Sequence, residues 1–243
     1  MIRPHRFCGV IALIIALAVP FASRAGTAEP ALVAALARLA PAANPNVIRL
    51  ALEATSCAAA TGMGTAERLA VIDYSRPSSE PRLWVFDLKK RSLIFEELVA
   101  HGKNTGENYA RSFSNKMNSL ATSIGLYRTG TTYQGSNGYS LRMDGLDPGF
   151  NDKAKERAIV IHGAPYVSRN FAETHGRIGR SWGCPAVRTA IAKKLIDIMK
   201  DGQFVFSYYP DSEWLKSSPF LNCSVSPTRT VEHGTPGTLT AGM

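Results

Sequence analysis

The 243-residue sequence has no cluster of cysteines and histidines at metal-ligand spacing, so no metal is expected. It also lacks a Gly-x-Gly-x-x-Gly turn and a P-loop, and with them any sign of a nucleotide or other cofactor. No basic run is interleaved with aromatics, which leaves nothing to single out nucleic acid as a partner. There is no internal repeat. Beyond residue 25 no apolar run reaches the roughly 20 residues of a spanning helix, so no stable membrane span is expected once the N-terminus is removed. Charged residues are scarce, at 19% against 45% hydrophobic, which excludes wholesale disorder and supplies a sizeable core. The length suits one catalytic domain with appendages.

What is present begins with an export signal. Arg3 and Arg6 give a basic start, residues 8–22 a mostly apolar run, and Ser23-Arg24-Ala25 a small-x-small cleavage site, so residues 1–25 are expected to be removed. Cys8 lies at the start of the apolar run and does not have the position of a lipidation cysteine. The chain carries 28 Lys plus Arg against 19 Asp plus Glu, and the signal holds three arginines and no acid. The mature protein therefore keeps 25 basic against 19 acidic residues, a balance of +6 that favours anionic partners such as a carboxylate-rich cell wall. A periplasmic or wall-associated location follows.

Residues 26–65 read as a helical segment. Leu32, Ala35, Leu36 and Leu39 share one face, and Asn44-Pro45 opens a second helix through Val47, Leu50, Ala51 and Ala54. From residue 66 to 223 the period changes, with strands expected over 68–74, 82–88, 93–99, 140–143, 158–162 and 203–208. Residues 129–138, rich in Gly, Ser, Asn and Thr, read as a loop. One further helix is expected over 189–201, with Ala192, Leu195, Ile196 and Met199 inward and Gly202 as its stop. Order fades after Pro210, and residues 224–243 read as a disordered tail.

The chemistry concentrates in two short stretches. Ile159-Val-Ile-His-Gly163 puts a histidine at the end of an apolar strand, and Gly179-Arg-Ser-Trp-Gly-Cys-Pro-Ala-Val187 puts a cysteine in a glycine-containing turn. A free thiol, with a pKa of about 8.5, is only slightly ionised at neutral pH and needs a neighbouring imidazole to become a nucleophile. Cys184 and His162 are the candidates for nucleophile and base, with Cys184 expected as a low-pKa thiolate. Gly183, without a Cβ, is the candidate for backbone oxyanion stabilisation, and the backbone at Gly163 for orienting the imidazole, since no acid adjoins His162 in sequence. Taken alone, such a pair equally describes a small buried cysteine and a core histidine. The mature chain keeps Cys57, Cys184 and Cys223, an odd number in a compartment where disulfides persist. The sequence around Cys184 marks it as the free one, so a Cys57–Cys223 bridge is expected.

The two stretches together resemble the YkuD-type L,D-transpeptidases, and within them a branch whose Cys box reads Ser181-Trp182-Gly183-Cys184. His162-Gly163 matches the upstream His-Gly element, and the likeness runs from about residue 68 to 209 through Val99-Ala-His-Gly102, Phe113-Ser-Asn115, Gly138-Tyr-Ser-Leu141 and Gly145-Leu146. The resemblance implies a mainly β fold of sandwich or barrel-like type. It also implies that Cys184 attacks the L,D bond between diaminopimelate and D-alanine in a tetrapeptide stem, forms an acyl-enzyme, and is released by an amine of a second stem. Carbapenems are implied as acylating agents of Cys184. Ser181, Trp182, Arg180 and His101 are the candidate substrate-binding residues, while His175 and His233 read as loop and tail residues. Trp182 stands where the family has histidine, and Ala186 where it has arginine; Arg180 or Arg188 would have to replace that cation, or are plain surface charges. Two alternatives stay open: an L,D-carboxypeptidase that resolves the same acyl-enzyme with water, and a wall-binding protein without activity. The Cys box is unlike a sortase's, and papain-like and NlpC-type peptidases place Cys before His.

Overall fold

The structure, a computed structural model, describes residues 28–223. The expected signal over 1–25 and the expected tail over 224–243 lie outside the described residues. The chain opens with helices α1 (Pro30–Leu39) and α2 (Pro45–Ala60). The Asn44 side chain accepts from the Asn46 N–H at 2.9 Å, and Pro45 starts α2, where its missing N–H costs no hydrogen bond.

Nine strands follow: β1 (Arg68–Asp73), β2 (Leu83–Asp87), β3 (Ser92–Glu97), β4 (Val99–Ala100), β5 (Gly125–Gly135), β6 (Gly138–Gly145), β7 (Val160–Ala164), β8 (Ala186–Arg188) and β9 (Phe204–Tyr208). Three short helices punctuate them: α3 (Arg169–His175), α4 (Thr189–Met199) and α5 (Ser212–Ser217). The strands form one sheet in the order β3-β2-β1-β9-β5-β6-β7-β8-β4. Its two edge strands, β3 and β4, are separated in the chain by Leu98 alone, so the sheet must curl until its edges nearly meet. The fold is therefore mainly β and barrel-like, as the resemblance implied.

Alternation along β1 divides the core. Leu69 and Val71 pack with Trp84, Phe86, Phe204, Phe206 and the α2 residues Val47, Ile48 and Ala51. Ala70 and Ile72 point the other way, to Val85, Ile161 and the α4 residues Leu195, Ile196 and Met199. With helices covering one face and the barrel interior the other, residues 69–72 of β1 and 204–206 of β9 are apolar without alternation. Each such side chain contributes about 1.5–3 kcal/mol by leaving water.

Two expectations are corrected. Most of residues 129–138 is strand: β5 runs to Gly135, Ser136-Asn137 makes a two-residue turn, and β6 returns with Tyr133 opposite Ser140 and Gly135 opposite Gly138. This outer half of the hairpin buries neither face, so the polar composition that suggested a loop is that of an exposed ladder. Nor does order fade at Pro210. Asp211 caps α5 by accepting from the Trp214 N–H at 2.8 Å, and Trp214 is fully buried. Its indole Nε1–H donates at 3.1 Å to Asp147, whose buried carboxylate also accepts from the Leu126 N–H at 2.6 Å and from the Ser218 hydroxyl. Beyond α5 a disulfide joins Cys223 to Cys57 in α2. Among the described residues no helix is long and apolar enough to cross a membrane.

Candidate active site

Parallel pairing of β7 with β8 sets His162 opposite Ala186, and just before β8 the chain brings Cys184 beside Val160 at the start of β7. The Val160 N–H points at Cys184 Sγ at 3.5 Å, and the Ala158 carbonyl lies 3.8 Å from the same sulfur. Cys184 is the free thiol among the described residues and is partly accessible. It shares a cleft of about 390 Å³ with His162, Tyr166, Arg180, Trp182 and the hairpin turn Ser136-Asn137.

The His162 Nδ1 lies 3.0 Å from the Gly163 carbonyl, which can only accept. The proton is thus on Nδ1, and Nε2 keeps its lone pair. Burial holds the His162 pKa below the usual histidine range, partly offset by this hydrogen bond. Burial also pushes the Cys184 thiol up, opposed by the Val160 N–H and the nearby Arg157 charge. Both shifts point to a neutral thiol and a neutral imidazole, the opposite direction from the low-pKa thiolate expected from sequence. The arrangement suits proton transfer during attack rather than a standing ion pair.

The turn before the cysteine is held internally. Ser181 Oγ donates to the Cys184 carbonyl at 2.6 Å and accepts the Gly183 N–H at 3.1 Å. Two expectations change with this. The Gly183 N–H is already engaged within the turn, and the Ser181 hydroxyl, which lines the cleft, also braces the turn with one donated and one accepted bond. The Cys184 N–H has no partner among the described residues and is the donor left for an oxyanion. Gly183 is needed for another reason: its φ of 126° lies in the left-handed region, and a Cβ there would meet the Ala121 carbonyl at 2.9 Å.

A layer of polar groups supports the turn from behind. Thr122 Oγ1 donates to the Gly183 carbonyl at 3.2 Å and accepts the Gly102 N–H at 2.9 Å. The His101 carbonyl accepts the Ser181 N–H at 2.9 Å. His101 itself does not line the cleft, a further correction. It is fully buried, with Nδ1 accepting from Arg82 at 2.8 Å and Nε2 donating to the Gly106 carbonyl at 3.1 Å. Burial and the Arg82 charge push its pKa down to about 4. Arg82 is likewise buried, bonded to the Val99 and Arg76 carbonyls at 2.8–3.0 Å, and its pKa is pushed down by burial to about 10.

Of the remaining expected substrate contacts, Trp182 lines the cleft and is 74% exposed, with Lys103 Nζ 6.0 Å from its ring centre. Arg180 lines it too, but its guanidinium is bound to Glu107 at 2.6 Å. Arg188 forms a two-bond pair with Glu97, one arm at 2.7 Å. No local pattern pointed to Tyr166, which burial pushes to a pKa of about 12, or to the hairpin turn. The sequence also hid Arg157, which donates to the Ser114 carbonyl at 2.7 Å, Ser119 Oγ at 3.0 Å, the Ala121 carbonyl at 2.6 Å and Ser123 Oγ. Among the described residues no three His, Cys, Asp or Glu side chains converge to hold a metal.

The family model described as the L,D-transpeptidase catalytic domain matches residues 39–208. No curated protein matches the chain significantly. Similar solved structures include an L,D-transpeptidase from Mycobacterium smegmatis, at 14% identity over 60% of this chain and 60% of that one, with a TM-score of 0.37. One from Stackebrandtia nassauensis has 13% identity over 76% and 94% of the two chains, with a TM-score of 0.36. L,D-transpeptidase 3 from Mycobacterium tuberculosis, solved with a faropenem-derived adduct, has 15% identity over 58% and 60%, with a TM-score of 0.34. The chain thus spans about 60% of the length of the first of these. With the family model covering more than half of its residues, the chain belongs to the L,D-transpeptidase catalytic-domain family.

Proposed function

We propose that this protein is an exported peptidoglycan L,D-transpeptidase in which Cys184 is the nucleophile and His162 the general acid and base. The observation that carries this reading is the shared cleft: an unpaired thiol opens into it beside an imidazole whose Nδ1–H is tied to Gly163, leaving Nε2 free. In the first half-reaction Nε2 takes the thiol proton as Sγ bonds to the carbonyl carbon preceding D-alanine. The carbon–nitrogen bond breaks, and His162 returns the proton to the departing D-alanine amine. In the second half-reaction an amine of another stem bonds to the thioester carbon, the carbon–sulfur bond breaks, and the amine proton passes through His162 to the sulfur. The Cys184 N–H is the backbone donor offered to the carbonyl oxygen as it gains charge. Export is supported by the N-terminal sequence pattern and by the Cys57–Cys223 disulfide, a bond that persists in oxidising compartments.

The test is incubation of residues 26–243 with tetrapeptide muropeptides, followed by mass spectrometry, with Cys184→Ala in parallel. Release of D-alanine and a cross-linked dimer by the wild type alone is the expected result. A free tripeptide in place of the dimer would make the enzyme an L,D-carboxypeptidase. No release by the wild type would leave the wall-binding alternative.

A further inference from the structure

A second concavity adjoins the segment that contacts Cys184. The segment 158–160, whose backbone contacts the sulfur, also forms one wall of a groove of about 470 Å³ lined by Thr131, Tyr133, Arg142, Asp144 and Lys155. The β6–β7 register sets Arg142 opposite Val160, the residue whose N–H points at Cys184 Sγ. Opposed residues of an antiparallel pair lie about 5 Å apart, so the Arg142 stem starts one strand away from the nucleophile's backbone contact. Its guanidinium carbon sits 4.1 Å from the centre of the Tyr133 ring, which braces the fork.

What sets Arg142 apart is that its charge is unspent. Arg180 is committed to Glu107 and Arg188 to Glu97. Among the described residues neither Arg142 nor Lys155 is in an ion pair, and Asp144 leaves the groove with two cations to one anion. An unpaired guanidinium with an aromatic backing, one strand away from a residue that contacts the nucleophile, is a fork waiting for a carboxylate.

We propose that Arg142, braced by Tyr133 and assisted by Lys155, binds the α-carboxylate of the amine component of the reaction, both the D-alanine that leaves and the amine that replaces it. This rests on the acyl-enzyme reading above. The leaving group carries its amine and its carboxylate on one carbon. Attack by the incoming amine is the reverse of that departure, so a cation placed for the first serves a second amine of the same build.

The test compares two acceptor amines, D-methionine and D-methioninamide, with a tetrapeptide muropeptide as acyl donor and exchange products measured by mass spectrometry. The quantity read is the ratio of initial rates with acid and amide. The two amines differ in basicity, but that difference cancels when the ratio is compared between the wild type and Arg142→Gln. Loss of a charged hydrogen-bonding partner predicts a shift of about tenfold to a hundredfold toward the amide, with Arg142→Lys in between because it keeps the charge and loses the fork. Equal losses with both acceptors, or an unchanged ratio, overturn the proposal and leave the acyl-enzyme reading standing. No D-alanine release by the wild type overturns both. If Arg142→Gln does not fold, Lys155→Gln must shift the ratio in the same direction, and no shift there also overturns the proposal.

Discussion

Burial acts on Cys184 and His162 in opposite chemical senses and to the same end: it raises the acid's pKa and lowers the base's, so both rest uncharged. The sign of two pH profiles follows. Alkylation of Cys184 by iodoacetamide in the absence of substrate should rise with a midpoint above the ordinary thiol value of about 8.5. The acid limb of kcat/KM, which needs neutral His162, should fall below the ordinary histidine value of about 6.5. An alkylation midpoint near pH 4–5 would instead indicate a standing thiolate–imidazolium pair. His162→Ala should lower kcat/KM by roughly a hundredfold or more. Cys184 and His162 could be singled out in the sequence through the resemblance of their two stretches to a known family, since the pair taken alone also describes a buried cysteine and a core histidine. The place of His101 was not legible, because Ala-His-Gly reads the same whether the ring faces a cleft or Arg82. Arg157 was hidden in Lys-Ala-Lys-Glu-Arg, a string that looks like solvated charge until its four acceptors are seen.

The catalytic turn is an element that owes its shape to others. Ser181 closes it from within, Thr122 and the His101 carbonyl hold it from behind, and Ala121 packs against Gly183. Arg157 in turn fixes Ala121 and the segment around it. Gly183→Ala therefore combines a φ of 126° with a Cβ 2.9 Å from a carbonyl oxygen, and the turn must move to accept it. Displacements of that size cost about a hundredfold in rate, so kcat/KM should fall by that order, read against a thermal unfolding curve that reports the fold separately. A variant with wild-type kcat/KM would show that the turn tolerates the shift. α4 was readable from its helical period, and β1 and β9 from short apolar runs. The β5–β6 hairpin was not, since its outer half has no buried face to impose a hydrophobic period, yet its turn lines the cleft.

At the scale of the molecule, closure of the sheet and the clamp on its ends are separate devices. The sheet curls because its two edges are one residue apart in the chain. That follows from pairing, which no local pattern announces, and the break at Leu98 inside the strand expected over 93–99 is where it happens. The Cys57–Cys223 disulfide closes a loop with a sequence separation of 166 and ties α2 to the segment after α5. Replacing both cysteines by alanine should cost about 2–5 kcal/mol of unfolding free energy, measured by urea titration; a loss below 1 kcal/mol would mean that packing of Trp214 and α2 suffices. Stability should also carry the mark of His101. Its pKa of about 4 in the fold lies below the unfolded value of 6.5, so the unfolded chain binds the extra proton first. Stability is lost as pH falls through that window, by on the order of 3 kcal/mol. Urea midpoints that stay flat from pH 6.5 to 4 would contradict the buried neutral ring.

The central claim is that a covalent acyl-enzyme forms on Cys184. Rapid mixing of residues 26–243 with a tetrapeptide muropeptide, acid quenching and intact mass analysis should show the protein plus the acyl tripeptide portion of the donor. Peptide mapping should place that mass on Cys184, and Cys184→Ala should lack it and release no D-alanine. D-alanine release that persists in Cys184→Ala, or an adduct mapped to another residue, would contradict the account.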